Sequence, residues 1–88
     1  MFIILYYDVN QKRCGKMLRI CRRYLKWVQN SVFEGEISEA KYKEMIVHLT
    51  KLIKEKDSDS IVVYKFRTMQ YSEREVHGKD KKGDTQFI

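Results

Sequence analysis

The sequence predicts an α+β domain in the order strand, helix, strand, strand, helix, strand, followed by one more short strand. Three observations lead there. Two short runs, Phe2 to Tyr7 and Ile61 to Phe66, are apolar at nearly every position and rich in Ile, Val and aromatics. Runs of this length and composition read as strands buried on both faces. Two other segments repeat apolar residues at three- and four-residue spacing, the mark of amphipathic helices. Between the helices, residues 27–37 are β-branched and aromatic, with turn formers at Asn30-Ser31 and Gly35.

The first run ends on a carboxylate, Asp8, which a strand end would present at the rim of a sheet. Helix one is expected from Lys12 to Lys26, with Cys14, Met17, Leu18, Cys21, Tyr24, Leu25 and Val28 as its apolar set. Gly15 is a weak point, so the helix could begin after it. Residues 27–37 break strict alternation and read either as two short strands or as one strongly kinked strand. Ser38 is placed to cap helix two, with Glu39 in its first turn. Lys41 stands where a capping box needs Glu or Gln. Helix two is expected from Glu39 to Lys56, with Tyr42, Met45, Ile46, Leu49, Leu52 and Ile53 as its buried face. Asp57 to Ser60 reads as a loop before the second apolar strand. Residues 67–86 are polar and mixed in charge, and then the chain ends on Phe87-Ile88. An apolar dipeptide after such a segment needs a place to dock. The expectation is one domain over residues 1–88, with 67–88 an extension that docks as an edge strand, on its own sheet or on a partner copy.

The chain has 88 residues, of which 43% are hydrophobic and 34% charged, and no proline. That composition suits a globular domain and argues against disorder. A core this small is often marginal alone, and oligomerisation is a common remedy. Net charge is +6, and its placement is informative. Residues 11–27 contain Lys12, Arg13, Lys16, Arg19, Arg22, Arg23 and Lys26 and no acid, so the rest of the chain carries −1. Such a stripe is the footprint of a polyanion binder. Arg13, Lys16, Arg19 and Arg23 are the candidate phosphate contacts, of the kind that set position without reading bases. A membrane surface is the rival, but the helix has no aromatic face to spare for lipid. Cys14 and Cys21 lie about 10 Å apart along one helix, beyond the roughly 7 Å that a disulfide spans. Both are expected as small core residues in a reducing compartment. No signal-peptide pattern or membrane-length run is present, so a cytoplasmic location is expected.

The element order is that of the ferredoxin-like split βαβ fold. At Tyr6-Tyr7-Asp8-Val9, at Trp27-Val28-Gln29-Asn30-Ser31-Val32-Phe33-Glu34-Gly35 and at Ile61-Val62-Val63-Tyr64, the chain resembles the small CRISPR-associated protein two, over nearly its whole length. The resemblance implies a ferredoxin-like homodimer whose last strand is exchanged onto the partner. It implies a role in spacer acquisition, with two dimers of the integrase subunit clamping one such dimer to capture and insert DNA. It also implies a Mg²⁺-dependent endonuclease acting on RNA or duplex DNA. The family's metal-binding aspartate falls on Asp8 and its adjacent aromatic on Tyr7. The family's serine and phenylalanine near the dimer cleft fall on Ser31 and Phe33. Of the arginines implicated in nuclease members, Arg13 matches one, a second falls on or beside Gly15, and a third is Trp27 here.

A lone carboxylate is a poor Mg²⁺ site, because the ion takes one or two carboxylates with waters and phosphate oxygens. A two-fold axis would supply a second Asp8. The metal could then polarise a phosphodiester and acidify a water. The plain alternative is that Asp8 only ends the strand or caps the next helix. Ser31 has no His beside it in sequence to act as a base, which argues against a nucleophilic serine. Tyr6 and Tyr7 must point to opposite faces, so only one can flank the carboxylate. His48 and His77 lack metal-ligand spacing. Other classes fare worse. An acylphosphatase-like reading lacks the phosphate cradle, and the strand signature of an RNA-recognition module is missing. A non-catalytic nucleic-acid scaffold remains the alternative.

Overall fold

The structure is a computed structural model that describes residues 1–68 and 71–79. Its elements are β1 (Phe2–Asp8), α1 (Gln11–Tyr24), β2 (Lys26–Gln29), β3 (Val32–Glu36), α2 (Glu39–Thr50), a 3-10 turn (Glu55–Asp57), β4 (Ser60–Thr68) and β5 (Tyr71–Gly78). The strands form one sheet in the order β2-β3-β1-β4-β5, antiparallel at every pairing. The first four strands and two helices make the ferredoxin-like arrangement, and β5 widens it at the β4 edge.

Strand β1 is central. Its odd residues Ile3, Leu5 and Tyr7 are buried, and they meet Met17 and Cys21 of α1 and Met45 and Leu49 of α2 in a single core. Its even residues Phe2, Ile4 and Tyr6 are only half-buried, because the helices cover one face of the sheet. The expectation of a strand buried on both faces is therefore corrected. The register extends this open face across the sheet: Ile4 lies between Glu34 and Tyr64, and Tyr6 between Val32 and Val62.

Helix α1 starts before Gly15. The Asn10 side chain accepts from the Lys12 amide at 3.1 Å and caps it, so Asp8 is not the cap. The helix stops at Tyr24, and Leu25 closes it with its N–H on the Cys21 carbonyl. Val28 thus falls on β2, where it is exposed, rather than on the helix. Residues 27–37 resolve as two strands, turning at Asn30 with φ 47°. Ser38 caps α2 by accepting from the Lys41 amide at 3.1 Å.

One expectation fails in the second half. Helix α2 ends at Thr50, six residues short of Lys56, because Lys54 must turn extended to place its N–H on Asp59. Beyond Phe66 the described residues stay in the sheet as far as Gly78. Strand β4 runs on to Thr68, and β5 pairs back on it within the same chain. This strand is polar on the helix side of the sheet because Glu75 is bonded from three directions. Lys65 Nζ donates to it at 2.8 Å, the Tyr42 hydroxyl donates to it, and His77 Nε2 lies 2.9 Å away. The strand ends where only glycine fits: Gly78 has φ 98°, and a Cβ there would stand 2.3 Å from the Asp59 carbonyl oxygen. Phe87 and Ile88, the end expected to dock on a partner, lie outside the described residues.

Candidate nucleic-acid and metal site

Asp8 is exposed at the C-terminal end of β1, opposite Ser60 of β4 in the register. On the other side, the N–H of Tyr7 donates to the Ser31 carbonyl at 3.3 Å, so the Asn30-Ser31 turn flanks the carboxylate. Asp8 and Ser31 are thus brought to one rim of the sheet. The alternation of β1 puts Tyr6 on the Asp8 face and Tyr7 on the other.

Tyr7 and Phe33 are core residues. Their rings stack at 6.1 Å with 23° between planes, and Phe33 is fully buried. The Tyr7 hydroxyl donates to the Cys14 carbonyl at 3.5 Å, and burial pushes its pKa up to about 12. Both cysteines are free, and burial raises the Cys21 thiol to about 12, which makes it inert as a nucleophile. Neither Tyr7 nor Phe33 stands beside the carboxylate that its place in the sequence suggested.

Arg13 is also not an open phosphate contact. It is buried, with Nε donating to Asp59 at 2.7 Å and Nη2 to Asp57 at 2.8 Å. Asp59 is fully buried and also accepts the amides of Asn10 and Lys54, each at 2.9 Å. Burial works to raise the Asp59 carboxyl, but the bonds from Arg13, Lys54 and Asn10 win, and it sits below its ordinary value. The Arg13 hydrogen bond likewise holds Asp57 low. This cluster ties the start of α1, the end of the α2 connection and the start of β4 into one knot. It fixes Asn10, two residues from Asp8. Sequence reading passed over Asp59 because Asp57 to Ser60 has the composition of a solvated loop.

Of the remaining candidates, Lys16, Arg19 and Arg23 are exposed. They border a groove between α1 and the end of α2. One hollow of about 340 Å³ is lined by Lys12, Arg13, Lys16, Lys51, Leu52 and Lys54. It shares Lys16 and Leu52 with a second, of about 210 Å³, that adds Arg19, Ile20 and Arg23. Lys51 and Lys54 were visible only as the basic end of a helix, since nothing local says which helix they face. The groove is on the helix side of the sheet and Asp8 is on the open side.

Among the described residues, no three His, Cys, Asp or Glu side chains gather into a group that could hold a metal ion. His48 is exposed on α2, and His77 is engaged with Glu75. The open face carries an apolar and aromatic row along β1 and β4, with Phe2 and Phe66 rings 6.4 Å apart, flanked by Glu34 and Glu36 on β3 and Arg74 on β5, and the β1 row ends at Asp8. Among the described residues, no helix is long and apolar enough to cross a membrane.

Comparisons with known proteins agree with this architecture. The family model for CRISPR associated protein Cas2 matches residues 1–74. The CRISPR-associated endoribonuclease Cas2 of Dictyoglomus turgidum is 46% identical over 88 residues, covering 100% of both chains. The Thermotoga maritima protein of the same name is also 46% identical, covering 100% of this chain and 99% of its own. Among solved structures, a Cas2 crystal structure matches with a TM-score of 0.73 at 36% identity, covering 100% of this chain and 98% of that one. Streptococcus pyogenes Cas2 matches with a TM-score of 0.68 at 36% identity, over 75% of this chain and 86% of its own.

Proposed function

The chain belongs to the CRISPR-associated protein Cas2 family, and from that premise we propose that it works as a homodimeric, Mg²⁺-dependent endoribonuclease of CRISPR adaptation. The observation that carries this reading is the open sheet face. Along β1 and β4 it is apolar and aromatic, it is uncovered by either helix, and it delivers Asp8 at its end. Two such faces packed about a two-fold axis bury the aromatic row and bring two copies of Asp8 toward one another.

The donor chemistry fits this ion by halves. Carboxylate and hydroxyl oxygens suit a hard cation, and Mg²⁺ accepts one or two carboxylates and fills the rest with water and phosphate oxygens. Among the described residues one chain gives Asp8 alone at this rim, and a dimer would give two. The bound ion would offset charge on the phosphodiester and make an attacking water more acidic. Asp8 would hold the ion, and Ser31 stands at the same rim with a hydroxyl that can donate to a phosphate oxygen. Tyr7, Phe33 and Arg13 act as positioning residues: the first two anchor the end of β1 in the core, and Arg13 locks the Asn10 turn that follows it.

The basic groove supports a second role, holding nucleic acid. Its cations stand on the opposite side of the sheet from Asp8, so binding and cutting are separable. In adaptation this surface would grip DNA or meet the two dimers of the integrase subunit, and a scaffold that holds DNA without cutting is the alternative reading. Asp8→Asn decides between them when it is assayed twice. We expect Mg²⁺-dependent RNA cleavage to fall by at least about a hundredfold, with DNA retention unchanged. Random exchange between wild-type and variant chains at equal amounts should leave about one quarter of the activity, the share of dimers with both carboxylates. Cleavage that survives in rigorously purified Asp8→Asn would defeat the paired-carboxylate mechanism. Loss of cleavage with capture by the integrase complex intact would make the scaffold the main role.

A further inference from the structure

Trp27, the single tryptophan of the chain, takes no part in the core or in the Asp8 rim. We infer that it is a base-stacking platform that makes the Asp8 site selective for single-stranded RNA, an inference that rests on the nuclease reading above.

The side chain is 52% exposed on β2, whose four residues are all exposed at the free edge of the sheet. Its position is nonetheless fixed. Trp27 pairs with Phe33 across the ladder, so the two share the helix side of the sheet. The indole Nε1 donates to the Asn30 carbonyl at 2.8 Å. That bond uses the one polar handle of the ring within its own chain. What remains for a partner is the π-face, held in place before anything binds. A preorganised aromatic face suits stacking on a base, and the chemistry tolerates any base.

The charge around it selects a polyanion over an apolar protein partner. Helix α1 packs against β2. With 100° per residue, Arg22 falls on the flank of α1 away from the Lys16, Ile20 and Arg23 side that meets α2. Lys26 precedes Trp27 and is exposed, but it pairs with Glu34 and so belongs to the open face. An aromatic platform beside a basic helix flank is an arrangement by which single strands are bound.

The Trp27 backbone is level with Leu5, but its indole reaches toward the Asn30-Ser31 turn at the Asp8 end of the sheet. The Asn30 carbonyl takes the indole, and the next carbonyl, that of Ser31, takes the N–H of Tyr7, the residue before Asp8. Two strand spacings, about 10 Å, separate β2 from β1. Trp27 belongs to the helix side and Asp8 to the open side, so a nucleic acid touching both must bend over the rim at Ser31. A duplex, with a persistence length of about 150 base pairs, does not turn over an edge of that size. A single strand does.

The lone tryptophan makes the test direct. Wild-type protein, in EDTA to prevent cleavage, is titrated with a short single-stranded oligoribonucleotide, its base-paired form, and an abasic strand with the same phosphates. Base stacking predicts quenching of tryptophan emission by the single strand alone. Trp27→Ala should weaken single-strand affinity by about five- to a hundredfold. Trp27→Phe should recover most of it, and duplex affinity should stay unchanged in both. Equal quenching by the abasic strand, or wild-type affinity in Trp27→Ala, overturns the inference. So does a Trp27→Ala chain that loses only the integrase subunit. Asp8-dependent RNA cleavage with silent emission would sink the platform and leave the nuclease standing. Base-dependent quenching without Asp8-dependent cleavage would do the reverse.

Discussion

Phe33 separates a site residue from a core residue, and its replacement can be worked out in advance. Its ring is fully buried, stacked on Tyr7 and opposite Leu5 in the register. Phe33→Ala removes the ring from a packed core, which costs about 3–5 kcal/mol. An 88-residue domain has a total stability of about 4–13 kcal/mol, so the change removes a large share of it. For a domain of this size each kcal/mol shifts the melting temperature by about 4–8 °C, which gives a drop of roughly 15 °C or more. Phe33→Leu keeps the site apolar and fills most of the space, at about 1–1.5 kcal/mol. The assay is thermal unfolding by far-UV circular dichroism at one fixed protein concentration, since a dimer melts at a concentration-dependent temperature. RNA cleavage is then measured well below each transition. Both variants should cut in proportion to the fraction folded. A Phe33→Ala protein that melts within about 2 °C of wild type, yet does not cut, would show that Phe33 acts at the site and that its burial misleads.

Arg13 and Glu75 yield two further tests. Arg13→Ala leaves the buried Asp59 without its cation and should lower the melting temperature by more than roughly 10 °C. RNA affinity measured in the cold should hold, whereas a fully folded variant with weakened RNA binding would return Arg13 to the phosphate-contact role. For Glu75, burial works to raise the carboxyl, but hydrogen bonds from Lys65, Tyr42 and His77 hold it at about 2, against an ordinary 4.5. A depressed carboxyl contributes stability that is complete above the unfolded value and is lost as pH falls through the folded one. The wild-type melting temperature should therefore decline between about pH 5 and pH 2. Glu75→Gln should flatten that decline, and an unchanged slope would show that the Lys65, Tyr42 and His77 bonds do not set the acid limb.

The parts of this fold that could be read from sequence are those governed by near neighbours. Unbroken apolar runs located β1 and the core of β4, three-four spacing located both helices, and Ser38 announced a cap that depends on residues three positions away. The rest depends on distant partners. Asp57 to Ser60 looks like a polar loop until Arg13, 46 residues away from Asp59, comes to meet it. Strand β5 looks like a solvated tail because its helix-side residues are charged, and they fit only because Lys65 and Tyr42 stand beneath them. Helix α2 stops early for the same reason, since the pull on Lys54 comes from Asp59. At the site, the sequence delivered Asp8 and Ser31 to one rim. It also listed as partners of Asp8 two aromatics that strand alternation sends into the core.

The division between the two faces of the sheet has a mechanical consequence. In the proposed dimer the open face buries its apolar row along β1 and β4, which leaves the basic groove to the other side of the sheet. The helix side carries the cations of that groove because its inner surface is already occupied by core and its outer surface is free. Asp8 stands at a strand end, where an exposed carboxylate interrupts no apolar contact. Its position then depends on the backbone on either side: Tyr7 is anchored in the core before it, and Asn10 is tied to Asp59 after it. A substitution that loosens either anchor will therefore lower cleavage by lowering the folded fraction, and in a cleavage assay alone it will resemble loss of a catalytic group. Only a stability measurement made alongside tells the two apart.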